Sequence, residues 1–265
     1  MRGDTAIKKA NEQFYSCGIW RLASYINHSC SGNARRSFIG DMMVIRAAKD
    51  LVPDTEITFP YTKPPNNDFE GTPVDLGHWG FKCVCIICED IQKTRKTILL
   101  KRTGLLANLR ILFTSQDPNP ARIEAMISEL ARTYSRPCSE VPRLALWSSY
   151  FNLAAAYARS CQPRLAVKFG LKALESLGYV IDGGTIPHAS DTPFNVKKWG
   201  FVSDDVVECW MILAGAYHDV APALEVQAQG YARISYKICV GEDETFEETY
   251  GRLSERPDGL LASSR

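Results

Sequence analysis

The stretch Asn27-His28-Ser29-Cys30-Ser31-Gly32-Asn33, answered downstream by Cys83-Val84-Cys85-Ile86-Ile87-Cys88, decides how this chain is read. Cysteines at 83, 85 and 88 place three soft ligands on one tight loop, one short of the four that a closed tetrahedral zinc site takes. The nearest sensible fourth ligand upstream is Cys30, although spacing alone leaves that choice open. Between the two stretches runs Glu56-Ile57-Thr58-Phe59-Pro60-Tyr61, a short extended segment ending in a tyrosine.

Working outward, the 265 residues suffice for two domains with a proper core. Hydrophobic residues at 45% and charged residues at 23% describe an ordinary globular composition. A net charge of +1 supplies no global basic field for nucleic acid or an anionic membrane surface. No apolar run is long enough to span a bilayer. The polar start, Met1-Arg2-Gly3-Asp4, leads into no apolar core of a secretory signal, and Arg2 excludes N-myristoylation. The nine cysteines are one crowded cluster plus scattered singles, a distribution that favours metal over a disulfide framework. The expected compartment is the cytosol, the nucleus or both.

Secondary structure follows from local signals. Arg36–Ile39 and Met42–Arg46 flank Gly40-Asp41 as a hairpin with a two-residue turn. Asp50 to Asp54 reads as a turn, Glu56 to Tyr61 as a strand, and Thr62 to Gly77 as a loop. From about Ile91 the period becomes helical. Leu99, Leu100, Leu105, Leu106, Leu109 and Leu112 mark one amphipathic segment. Further helices are expected to open at Pro120, Pro142 and Pro163, the last stopping at Gly178. Val180 to Phe201 reads as a long loop between helix pairs. Tyr150, Leu153, Ala154, Tyr157, Ala166 and Ala173 sit at tetratricopeptide-like spacings, and Trp210, Leu213, Ala214 and Tyr217 repeat half of that pattern.

The N-H-S-C-x-x-N, E-I-T-F-x-Y and C-x-C-x-x-C stretches, in this order, resemble the C-terminal half of a SET domain with its post-SET zinc loop, the fold of protein-lysine methyltransferases. A helical region after the loop is similar to the SET-and-MYND group. The resemblance implies an α+β chain: a partial SET β-fold with zinc loop over residues 1–90, then an antiparallel, tetratricopeptide-like helical domain over 91–265. It also implies a chain lacking the Gly-x-Gly strands that begin a SET domain and the MYND finger. Gly32 and Pro60 depart from the family pattern, standing where a proline and an aspartate are usual.

The resemblance further implies S-adenosylmethionine as cofactor and a structural zinc on Cys30, Cys83, Cys85 and Cys88. Tyr61 would present the catalytic hydroxyl to methyl and amine. A tyrosine suits this because it is rigid and carries a polar tip on an apolar body. Asn27 would bind the cofactor's amino-acid end, His28 would reach the adenine chiefly through its backbone, Phe81 would stack on the adenine, and Asn11 would add a further contact. The chemistry is an in-line displacement by a neutral amine, which depends on positioning and desolvation. The implied partner is a protein bearing a target lysine, histone or not, with room for a peptide or protein partner on the helices and no direct role for nucleic acid or membrane. The competing expectation is a catalytically inactive SET fragment serving as a helical interaction scaffold. Two separate domains would also let the helices survive loss of the metal.

Overall fold

The structure is a computed structural model and describes residues 18–62, 75–115, 119–187 and 194–251. Asn11 lies outside them. The architecture is α+β, with short paired strands in the first part and helices dominating the rest.

The strands β1 (Asn27–His28), β2 (Ala34–Ile39), β3 (Met42–Ala47) and β4 (Thr58–Phe59) form two small sheets. β2 and β3 make the antiparallel hairpin, in register from Ala34 opposite Ala47 to Ile39 opposite Met42. Its turn places Gly40 at φ +56°, where a side chain would be strained. β1 pairs with β4 in parallel, Asn27 opposite Thr58 and His28 opposite Phe59. The expected strand over Glu56–Tyr61 shortens to these two residues. Asn33 accounts for part of the difference. Its amide nitrogen donates to the Glu56 carbonyl (2.8 Å) and its oxygen accepts from the Thr58 N–H (2.9 Å), so a buried side chain takes groups a ladder would use. Pro60, with no N–H, ends the pairing.

β5 (Asp75–Leu76) and β6 (Phe81–Lys82) form a second antiparallel pair. The cysteine motif is only partly loop: helix α1 (Ile86–Lys93) begins within it, with Cys85 at the N-cap and Cys88 on the first turn. Then follow α2 (Lys96–Thr114), α3 (Pro120–Ala131), α4 (Leu144–Arg159), α5 (Pro163–Ser176), α6 (Asp204–Tyr217), α7 (Pro222–Val240) and a short α8 (Phe246–Tyr250). Pro120 and Pro163 open α3 and α5 at first-turn positions, where a missing N–H costs nothing. α4 starts two residues after Pro142, at Leu144. The expected loop after Gly178 instead holds an antiparallel ribbon, β7 (Val180–Asp182) with β8 (Asn195–Lys198). Ile181 opposite Val196 supplies the β-branched cross-strand pair that favours it.

Consecutive helices pack side by side from α2 to α7, and α4 also touches α2 and α6. Most apolar positions chosen by periodicity lie inside: Leu105, Leu109, Leu153, Ala154, Ala166, Ala173, Trp210, Leu213, Ala214 and Tyr217 are buried, whereas Leu106, Leu112 and Tyr150 are half-buried and Leu100 points to solvent. The hairpin meets this core through α7: Arg46 donates twice to the Gly241 carbonyl, at 3.1 and 2.7 Å. Among the described residues, no helix is long and apolar enough to cross a membrane.

Candidate functional site

Four sulfurs converge beneath β1. Cys30, Cys83, Cys85 and Cys88 lie with all ligand atoms within 4.8 Å of one another, and three of the four residues are buried. The Cys30 sulfur is 3.8 Å from that of Cys83 and 3.7 Å from that of Cys88. Disulfide bonding needs about 2.05 Å. A tetrahedron of thiolates about 2.3 Å from a central zinc has edges of about 3.8 Å. The two separations match that edge, so the cluster could hold a metal ion. Hydrogen bonds from Cys30 and Cys88 pull the Cys85 thiol well below the usual cysteine range, while the bond to Cys85 holds Cys30 above it. Zinc takes cysteine as thiolate, so binding here would displace the thiol protons. Around them Leu76, Ile87, Ile91 and Val141 form an apolar shell that excludes water.

His28 connects this cage to the tyrosine. Its Nδ1 accepts from the Tyr61 backbone N–H at 3.0 Å, so the proton of the neutral ring sits on Nε2, which lies 3.4 Å from the Cys30 sulfur. Burial lowers the His28 pKa, the nearby Cys85 opposing the shift more weakly, and this favours the neutral ring that the hydrogen bonds require. One imidazole thus spans a backbone donor and a metal-ligand candidate, the arrangement by which outer groups orient ligands.

Tyr61 is fixed from several sides. Its hydroxyl donates to the Ile26 carbonyl at 2.6 Å, and its own carbonyl accepts from Arg36 at 3.1 Å. Its ring lies 5.3 Å from His28, 5.5 Å from Trp79, 5.7 Å from Phe59 and 6.5 Å from Phe81. Phe81 also approaches His28, at 6.4 Å. Trp79 and Phe81 each keep 40% of their surface exposed, leaving an aromatic wall open beside Asn27 and His28. The Asn27 side chain is exposed, and its amide nitrogen donates to Glu56 at 2.7 Å.

Of the residues singled out by sequence, the structure gathers Tyr61, His28, Phe81 and the four cysteines into one neighbourhood, with Asn27 at its edge. Asn11 is not among the described residues. Glu56 has a part that spacing did not suggest: it holds the Asn27 carboxamide. The imidazole of His28 has another, beyond its backbone. The departures at Gly32 and Pro60 turn out to be neighbours. A Cβ on Gly32 would come within 2.7 Å of the Thr58 carbonyl, 2.8 Å of the Phe59 Cα and 3.1 Å of the Pro60 ring. Glycine lets β4 and the proline approach this closely.

The cysteine cluster, the parallel strand pair, the tyrosine and the aromatic wall thus share one neighbourhood. The SET domain family matches residues 4–62. Over 257 residues, 96% of this chain and 35% of the relative, the sequence is 38% identical to a protein named Methyltransferase from Gibberella zeae. It is 32% identical over 91 residues to histone-lysine N-methyltransferase set5 of Schizosaccharomyces pombe, covering 33% of this chain and 28% of that protein. To histone-lysine N-methyltransferase ASHR1 of Arabidopsis thaliana it is 34% identical over 76 residues, 29% of this chain and 16% of that protein. The chain therefore carries a SET-domain match in its first part and is similar to proteins named as methyltransferases, histone-lysine methyltransferases among them. It spans about a third of the length of its Gibberella relative and less of the others.

Proposed function

We propose that the chain carries the lysine- and cofactor-facing part of an S-adenosylmethionine-dependent protein-lysine N-methyltransferase. A structural zinc on Cys30, Cys83, Cys85 and Cys88 would close a post-SET loop. The observation that carries this reading is the run of contacts from Cys30 through the His28 ring to Tyr61. It ties the metal candidate to the catalytic candidate. Four thiolates leave no open coordination position, so the zinc would supply folding energy and no chemistry of its own.

S-adenosylmethionine, when bound, supplies an electrophilic methyl group on its sulfonium. Phe81 offers a half-exposed ring face for a flat base. Asn27, with its nitrogen engaged by Glu56, keeps its carbonyl oxygen as an acceptor for an ammonium group. The Tyr61 hydroxyl proton is committed to the Ile26 carbonyl, which leaves the oxygen as an acceptor. That oxygen can take an N–H of the incoming lysine amine and aim the nitrogen lone pair.

The substrate class is a protein lysine, histone or otherwise, consistent with the names of the Schizosaccharomyces and Arabidopsis relatives. In this reading residues 1–90 form the SET and post-SET part, and residues 91–265 a tetratricopeptide-like stack of the SET-and-MYND kind. The run of helix pairs from α2 to α7, with α4 touching both α2 and α6, supports the stack. Its surface would take a peptide or protein partner, in the nucleus or cytoplasm. The test is methyl transfer by the zinc-loaded chain, with core histones and lysine peptides as acceptors and mass spectrometry as readout. Methylated lysine is the expected result. No methyl incorporation at saturating cofactor, with zinc in place, would overturn the enzyme in favour of a helical scaffold.

A further inference from the structure

Helix α1 carries Cys88 and, two residues on, Asp90, whose buried carboxylate pairs with the Arg143 guanidinium. The two side chains are 8% and 4% exposed, so neither charge is screened by solvent. Arg143 stands directly before α4 and is held from its other side. Its guanidinium donates to the Arg136 carbonyl at 3.1 Å, and its backbone N–H to the Ser176 carbonyl at 2.7 Å. It also lies 4.5 Å from the centre of the Tyr134 ring, over which Arg102 of α2 sits at 3.7 Å. Arg102 in turn donates to the Thr133 hydroxyl and carbonyl, both at 3.0 Å. Two residues before Arg143, the fully buried Val141 joins Leu76, Ile87 and Ile91 in the apolar shell of the cysteines. The helical region therefore supplies both a wall of the sulfur cage and the counter-charge that anchors its helix.

We propose that Arg143 is a positioning residue of the cysteine site. By gripping Asp90 it fixes α1, and with it Cys88, so that the helical region sets how tightly the ion is held. Loss of the ion in turn loosens the junction between α3 and α4. The inference rests on the metal reading above. A buried ion pair with one partner removed leaves an uncompensated charge, which the structure relieves by moving α1. Outer-sphere contacts that orient ligands alter metal affinity by about ten- to a hundredfold.

The experiment uses the full chain loaded with zinc, and follows metal transfer to a chromophoric chelator. Arg143→Met is expected to release zinc about tenfold faster than wild type, with Arg143→Lys intermediate. Leu224→Ala, a comparably buried change in α7 remote from the cage, is expected to keep the wild-type rate. Release from folded Arg143→Met at the wild-type rate would overturn the proposal, as would equal acceleration by Leu224→Ala. Hydrogen exchange on the wild-type chain, with and without chelator, covers a variant that fails to fold. Removal of zinc should speed exchange across residues 134–147 as well as 83–91, and opening confined to 83–91 would overturn the coupling. A wild-type chain that binds no zinc overturns the metal reading itself, a result distinct from both.

Discussion

Cys88→Ser is expected to reduce bound zinc from one per chain to a small fraction and to destabilise the fold by several kcal/mol. Cys88 is fully buried, its sulfur is 3.7 Å from that of Cys30, and it lies on the first turn of α1. A hydroxyl there is a poor zinc ligand and would be a buried polar group in an apolar shell. Structural zinc contributes on the order of 10 kcal/mol or more in small modules, so losing one ligand of four is expected to cost about 4 kcal/mol. Metal analysis and denaturant unfolding check this together. Unchanged zinc content would mean that Cys88 is not one of the ligands, and unchanged stability that the ion does not support the fold.

Tyr61→Phe is expected to lower kcat on the order of a hundredfold, the scale for removing one positioned polar group from a reacting centre. Affinity for S-adenosylmethionine should stay the same. The split follows from geometry. The ring remains packed between His28, Phe59 and Trp79 in the variant, and only the oxygen that would receive the amine is gone. Steady-state kinetics on a lysine peptide, with cofactor binding measured separately, distinguish the cases. An equal loss of turnover and cofactor affinity would assign Tyr61 a packing role.

Part of this site was legible because its signals are local. Cys83, Cys85 and Cys88 lie so close in sequence that a shared ion is their simplest use, and the Gly40-Asp41 turn names its own hairpin. Leu99, Leu105 and Leu109 of α2 and the buried face of α6 follow from helical period alone, which misplaced the exposed Leu100. The ribbon β7–β8 escaped notice because Gly183, Gly184 and Pro187 dominate its composition, while the Ile181–Val196 pairing is long-range. Glu56 and the His28 imidazole were missed for a related reason. Their partners, Asn27 for the one and Tyr61 and Cys30 for the other, are chosen by how β1 and β4 align, and spacing does not encode a tautomer. The departures at Gly32 and Pro60 read as separate oddities in sequence and as one close contact in space. Least legible was the Asp90–Arg143 pair, which spans the expected domain boundary.

The central claim is that a thiolate-held ion keeps the aromatic wall of Trp79 and Phe81 in place against Tyr61 and His28 as a nucleoside site. Calorimetric titration of S-adenosylmethionine into the chain before and after zinc removal tests it most directly. The account predicts one cofactor per zinc-loaded chain and binding abolished or severely weakened once the ion is chelated. Equal binding in both states, or no heat in either, would contradict it.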